Sequence, residues 1–295
     1  MKRAFLVSLI LGFVVLQLRS DTIEKEFKVT MRKKLELVHF SIRLEGRDAR
    51  DCKVDFDETS AAVSVYSHYA GHLRSNSTNL KFEIKVPKKF DIEIESNGGG
   101  VSITGIEGTI GGKTMGGRLN LTKLKGYVDL RTMGGQMIRK NVTDRRGDST
   151  KDEVHISTMG GNIRIDSVDG TVQATTMAGD IDITMVGDPE KGERDIKLKS
   201  MRGDVALTVP PSLSMNLDIT LAYTKESSRD YKIVSEFPIQ MEETKEWDHS
   251  QGSARKYIYG TGTIAGGKNK LKIETINGDV YLKKGSKYGS LQSGL

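Results

Sequence analysis

A short signature recurs along the middle of the chain and constrains every architecture open to it. It reads Thr114-Met-Gly-Gly-Arg-Leu119, Thr132-Met-Gly-Gly-Gln-Met137, Thr158-Met-Gly-Gly-Asn-Ile163, Thr176-Met-Ala-Gly-Asp-Ile181 and Ser200-Met-Arg-Gly-Asp-Val205. Diverged copies stand at Ser96-Asn-Gly-Gly-Gly-Val101 and Thr275-Ile-Asn-Gly-Asp-Val280. Met115 to Met133 and Met159 to Met177 are 18 residues each, while Met133 to Met159 is 26 and Met177 to Met201 is 24. Self-similarity of this kind marks a stacked repeat rather than a closed globule.

Counting from each methionine as zero, apolar residues fall at +4, +6, +9, +13 and +15. From Met115 these are Leu119, Leu121, Leu124, Val128 and Leu130; from Met159 they are Ile163, Ile165, Val168, Val172 and Ala174. Alternation at two residues specifies strands, and the glycine pairs or Leu124-Lys-Gly126 supply the turns. The two longer rungs align once Thr143–Glu153 and Gly187–Asp195 are set aside: Val142 and Val186 hold the +9 place, and Val154-x-Ile156 and Ile196-x-Leu198 resume the second strand. Both insertions then fall at one corner, as a solenoid requires. The expected fold is all-β: a parallel β-solenoid or β-roll of 18-residue rungs with two strands each. One rung buries too few side chains to offset the ordering of its own backbone, so neighbours must stack.

Composition agrees. Glycine supplies 32 of 295 residues, about 11% against a usual ~7%, and the excess belongs to rung corners. A single cysteine, Cys52, excludes an intrachain disulfide framework and a cysteine-based zinc site. Arg139 breaks the apolar rule at a +6 place and is read as a bulge or strand-end deviation.

Residues 1–20 have the layout of a secretory signal peptide: Lys2 and Arg3, then an apolar run from Ala4 to Leu18, too short for the ~20 residues of a membrane span. Cleavage near Ser20 is expected, an uncleaved anchor being the alternative and the only membrane link foreseen. The formal charge is +6, but Lys2, Arg3 and Arg19 belong to the signal, leaving 42 basic against 39 acidic residues in mixed order. That excludes the clustered basic footprint of a nucleic-acid partner.

Residues 21–95 read as a short antiparallel or irregular β region, with strands at Glu26–Met31, Leu35–Leu44, Val63–Tyr69 and Leu80–Val86. The solenoid is placed at 96–285, with corner insertions 143–153 and 187–195, an irregular excursion at 224–256, and a mobile tail at 286–295. Pro210-Pro211 ends the regular pattern, Met215–Leu221 alternates as a strand, and Leu271–Leu282 restores the rung.

Leu80-x-x-x-Ile84-x-Val-Pro87, the Thr-Met-Gly-Gly rungs, Gly203-Asp-Val-x-Leu-x-Val-Pro-Pro211, Ser235-Glu-Phe-Pro238 and Thr275-x-Asn-Gly-Asp-Val-x-Leu282 occur in that order. This succession resembles a bacterial adhesin family, a domain of unknown function built as a β-solenoid in exported envelope proteins. The resemblance covers roughly residues 35–283 and implies fold and compartment; it carries over no catalytic or binding residues.

Each candidate chemistry has a plainer competitor. The stacked methionines could be soft-metal ligands, but an inward ladder of flexible core fillers is the expectation. The hydroxyls of Thr114, Thr132, Thr158, Thr176 and Ser200 are expected to bond along the stack; no Thr-x-Thr pattern suggests an ice-binding face. The outward places give a candidate ligand face of Arg118, Arg164, Asp180, Asp182 and Asp204. Arg164 and Asp182 should pair, and Asp180 and Asp204 should repel unless each accepts N–H groups of its own turn or shares a cation. The turn reading is preferred, and no cofactor or metal is expected. Asp129, Glu153 and His155 on the other sheet read as solvated charges. His68 and His72 have a helical metal spacing in a strand context. Arg146-Gly-Asp148 and Arg202-Gly-Asp204 are tripeptides too short to be specific.

The resulting expectation is an exported, non-catalytic binding or structural surface of the bacterial cell envelope, in the periplasm, on the outer envelope or outside the cell. Envelope glycans or envelope proteins are the expected partners, and the two corner loops their contact points. The alternatives are a polysaccharide-active enzyme on this scaffold and an envelope scaffold assembling through exposed strand edges.

Overall fold

Glycine at the corners and apolar residues at alternate places dictate flat, extended segments that reverse without helices. The computed structural model of the protein describes residues 22–31, 36–45, 52–58, 63–69, 79–140, 152–227, 229–250 and 252–285. Two compact units result, Met1–Lys88 and Lys89–Leu295. Among the described residues the secondary structure is all β. The signal-like segment, Val142, His72 and Arg146–Asp148 lie outside them, as does most of the first corner insertion.

The first unit is antiparallel. β1 (Thr22–Met31) and β2 (Glu36–Glu45) pair with Phe27 opposite Phe40, and β2 pairs on its other side with β5 (Asn79–Lys85), Ile42 opposite Phe82. β3 (Cys52–Glu58) and β4 (Val63–Tyr69) form a separate two-stranded pair, with Phe56 opposite Val65. The sequence pattern does not announce β3, whose apolar residues alternate over only a few places among charges. His68 is a backbone partner of Lys53 in this pair.

The second unit is the solenoid, and its first strand is already β6 (Ile92–Ser96). Each rung is a strand, a Thr-Met-Gly-Gly-type corner and a second strand. β6 and β7 (Val101–Thr104) make the first rung, followed by β8 (Glu107–Thr114) with β9 (Leu119–Thr122) and β10 (Lys125–Thr132) with β11 (Met137–Lys140). β12 (Asp152–Thr158) with β13 (Ile163–Val168), β14 (Gly170–Thr176) with β15 (Ile181–Met185), and β16 (Ile196–Ser200) with β17 (Val205–Val209) continue it. After Pro210-Pro211 come β18 (Met215–Thr224), β19 (Ile233–Ser235), β20 (Gln240–Glu243) and β21 (Arg255–Ile264). The last rung is β22 (Asn269–Ile276) with β23 (Val280–Lys284). First strands build a ten-stranded sheet, β20-β21-β18-β22-β16-β14-β12-β10-β8-β6, and second strands an eight-stranded one, β19-β23-β17-β15-β13-β11-β9-β7.

Register places the apolar columns face to face. Leu119, Leu121, Leu124, Val128, Leu130, Ile163, Ile165, Val168, Val172 and Ala174 are all buried, and so are Val154, Ile156, Ile196 and Leu198 after the two insertions. The corner is fixed by its second glycine. A Cβ on Gly135 or Gly161, at φ 119° and 114°, would strike the backbone carbonyl oxygen of Gly117 or Gly135 one rung earlier. The first glycine, at Gly134 and Gly160, faces open space, and Ala178, Arg202 and Asn277 replace it in later rungs.

Three expectations need correction. Met115, Met133, Met159, Met177 and Met201 are not core: they are 40–53% exposed. The methionine follows the last strand residue, so it stands on the outside of the corner and no longer on the inward face. Second, only some hydroxyls bond along the stack. In Gly-Gly corners Thr114, Thr132 and Thr158 donate to their own corner, to the carbonyls of Gly116, Gly134 and Gly160 at 2.6–2.8 Å. Where another residue takes the first glycine's place, Thr176, Ser200 and Thr275 donate to Gly161, Gly179 and Gly203 of the preceding rung at 2.8–3.2 Å.

Third, Arg139 is neither bulged nor at a fraying end. It sits in register between Leu121 and Ile165 and is fully buried. Its Nη2 donates to Asp152 Oδ2 at 2.9 Å and to the Leu124 carbonyl at 3.3 Å. Asp152 occupies a column whose neighbours are Gly126 and Gly170, which leaves room for the carboxylate. Burial pushes the Asp152 carboxyl up from the usual aspartate range, and the Arg139 charge and the Gly126 N–H pull it back.

Candidate functional site

The outward residues of the rungs are placed as the spacing requires, but most have structural work. Arg164 lies in register with Asp182, yet its Nε donates to Asp166 on its own strand at 2.9 Å. Asp180 and Asp204 do stack, and each relieves the repulsion through the next rung and not its own turn. Asp180 N–H donates to Asn162 Oδ1, Asp204 N–H to Asp180 Oδ1, and Asp279 N–H to Asp204 Oδ1, at 2.8–2.9 Å. This polar file locks corner to corner, and it occupies the Asp204 of the Arg202-Gly-Asp204 tripeptide. Arg118 is exposed at the start of β9, and Asp182 is half-buried. The five candidate residues therefore share one sheet end without converging on a point.

Elsewhere, Asp129 pairs with Arg131 at 3.7 Å, and His155 lies 3.5 Å from both Glu153 and the Tyr127 hydroxyl. The second corner insertion is anchored by Arg194. That buried guanidinium bonds Asp169 and the Lys191 carbonyl, while its backbone N–H donates to Asn269 Oδ1. Among the described residues, no group of three or more His, Cys, Asp or Glu side chains is placed to hold a metal.

A denser constellation lies where no repeat pointed. The segment expected as an irregular excursion, 224–256, instead contributes β19, β20 and the start of β21, and closes one end of both sheets. Five of the nine tyrosines and the only tryptophan lie between Tyr223 and Tyr281. Tyr223 meets Trp247 edge-on at 5.8 Å and Tyr231 at 6.4 Å between ring centroids. Its hydroxyl donates to Glu243 at 2.5 Å, and this bond, with burial, pushes the phenol up to about 12. Lys256 lies 5.2 Å over the indole. Tyr257 and Tyr259 stack nearly parallel at 5.9 Å, Tyr257 donating to Asp248 at 3.1 Å and Tyr259 exposed. Glu242, Glu243, Thr244, Lys245, Glu246, Trp247 and Asp248 line an open groove of about 440 Å³. The clustering of these aromatics is visible along the sequence, but without a period nothing in it shows which rings meet.

Asp279 ties this cap to the last rung. It accepts from Arg229 at 2.5 Å, Lys232 N–H at 2.9 Å and the Tyr281 hydroxyl at 3.0 Å. Burial alone would raise its carboxyl, but these three donors outweigh it and hold the group below the usual aspartate range. A depressed carboxyl stabilises the fold above its unfolded pKa of ~3.9 and loses that contribution as pH falls through the folded value. Trp247 fluorescence should therefore report a loosening of the cap below about pH 4. Asp279→Asn should loosen it at neutral pH and remove that acid step.

No curated protein and no solved structure matches the chain. A family model does, over residues 23–283, which is most of both units: the chain belongs to the Toastrack DUF4097 family, a domain of unknown function.

Proposed function

We propose that this protein is an exported, adhesin-like binding module of the bacterial envelope, without catalytic activity, and that the cap groove takes an envelope glycan. The observation that carries this reading is the half-buried Trp247 among the carboxylates of Glu242, Glu246 and Asp248 that line one groove, with the stacked Tyr257 and exposed Tyr259 on the adjoining strand, Tyr259 opposite Glu242. Aromatic faces cover the C–H face of a sugar ring, and carboxylates accept its hydroxyls; rings with a polar handle are suited to such amphipathic ligands. The signal-like layout of residues 1–20 supports export. The rigid rungs would serve to hold the groove, as loops on stiff scaffolds carry contacts.

The cap also bears on the self-assembly alternative. β20 is short, fully exposed and carries Glu242 and Glu243, and β19 is shorter still. A short edge, and in β20 a charged one, opposes the addition of another copy.

Sedimentation with insoluble cell-wall material tests the reading. The native protein should be retained, and Tyr259→Ala or Trp247→Ala should weaken retention at least ten-fold with circular dichroism unchanged. Equal retention of both variants would exclude the groove as the binding site, and release of reducing ends would replace binding with catalysis.

A further inference from the structure

The chain holds 11 methionines, and the solenoid sorts them. Met137, Met185 and Met215 are buried in the core, while the five corner methionines stand outside it. Those five form one file. The N–H of Met133 donates to the Thr114 carbonyl, Met159 to Thr132, Met177 to Thr158 and Met201 to Thr176, at 3.0–3.2 Å, so each corner lies directly on the one before. Parallel neighbours are ~4.8 Å apart, which sets the repeat of the corner backbones from which the thioethers project.

Burial does not explain the file, because a half-exposed side chain at a corner gains little from it. Nor does the corner demand methionine, since Asn97 and Ile276 take the place in the first and last rungs. Sulfur is what the five share. A thioether is a soft, polarisable donor of the kind that selects Cu(I). An ion midway between two sulfurs ~4.8 Å apart would lie ~2.4 Å from each, close to the ~2.3 Å of a zinc–sulfur bond. The unbranched side chains let a third sulfur close in. Around the middle three, the corners read Gly134-Gly-Gln136, Gly160-Gly-Asn162 and Ala178-Gly-Asp180, none with a cationic side chain.

We propose that Met133, Met159 and Met177 bind a soft monovalent cation, Cu(I) or Ag(I), through two or three thioether sulfurs. The site lies on the regular rungs and owes nothing to the cap groove. Thioethers carry no proton near neutrality, so ion uptake releases none and its affinity is flat with pH, unlike a histidine or cysteine site.

The test uses the full chain carrying Cys52→Ser, which removes the competing thiol, labelled with methyl-¹³C methionine and titrated with silver nitrate in chloride-free buffer. The methyl signals of Met133, Met159 and Met177 should shift together and saturate, with the same affinity at acidic and neutral pH. Met133→Leu/Met159→Leu/Met177→Leu should weaken binding at least ten-fold, leucine being tolerated where Ile276 already stands. Met241→Leu, which alters an exposed methionine on β20, should leave it unchanged. Absence of saturable shifts, affinity that survives the triple variant, or affinity that climbs with pH would each overturn the assignment.

Discussion

Gly161→Ala should lower the melting temperature of the solenoid by about 6–12 °C, whereas Gly160→Ala, one residue away, should be nearly silent. Gly161 has a left-handed φ of 114° and its Cα faces the carbonyl of Gly135. Alanine there stores backbone strain of roughly 1–3 kcal/mol. It also forces apart two rungs whose ladder here runs from the N–H groups of Gly135 and Met137 to the carbonyls of Gly160 and Asn162. A total of about 3 kcal/mol corresponds to that fall at ~2–4 °C per kcal/mol. Gly160 faces open space, and Ala178 already fills the equivalent place, so its substitution should stay within ~0.5 kcal/mol. Thermal unfolding followed by circular dichroism separates the two. Equal melting of both variants would show that the corner can shift to admit a side chain.

Removing the buried cation should cost more. Arg139→Leu takes the guanidinium away from the buried Asp152 carboxylate, a change that typically costs ~3–5 kcal/mol, here about 6–20 °C of melting temperature. The deficit should shrink in acid. Burial already raises the Asp152 carboxyl, and without arginine it rises further. A group raised in the folded state contributes most below its unfolded pKa, and that contribution disappears as pH climbs through the folded value. Arg139→Leu/Asp152→Gly gives both columns the residue types of their neighbours, Leu121 and Gly126. It should return stability to within ~1 kcal/mol of the native protein or exceed it, since buried pairs rarely outperform an apolar filling. If the double variant melts as low as the single one, the ion pair stabilises the fold in its own right.

The two residues show what a linear pattern conveys. Period, strand faces and the corner of both insertions could be read because each rests on local alternation repeated several times. Arg139 reads as an interruption in the sequence because its neutralising partner lies across the insertion, 13 residues away. The methionines read as core because identity along a ladder suggests burial. Identity along a ladder is equally the property of an outer corner, and only the end of the strand separates the two. β18, β21 and β20 were legible as strands only in part, and their order not at all, because pairing between distant segments leaves no period. The cap groove shares that cause. Trp247 meets Tyr223 and Lys256 through three segments that the sequence spaces irregularly.

The position of β22 has a consequence for how the molecule is made. Rungs elsewhere add to partners as little as 18 residues back, as Leu119 does to Val101, but Leu271 joins Ile196 across 75. The longer closure costs about 1.3 kcal/mol more in chain entropy. More important is timing: β22 lies between β16 and β18, so β18 has no native neighbour from earlier in the chain to wait against. A nascent polypeptide can lay down rungs in order as they emerge, but its growing end stays raw until residue 284 is available. A ribosome that stops early therefore releases a sticky, unfinished product, and completeness of translation is written into the closing of the fold.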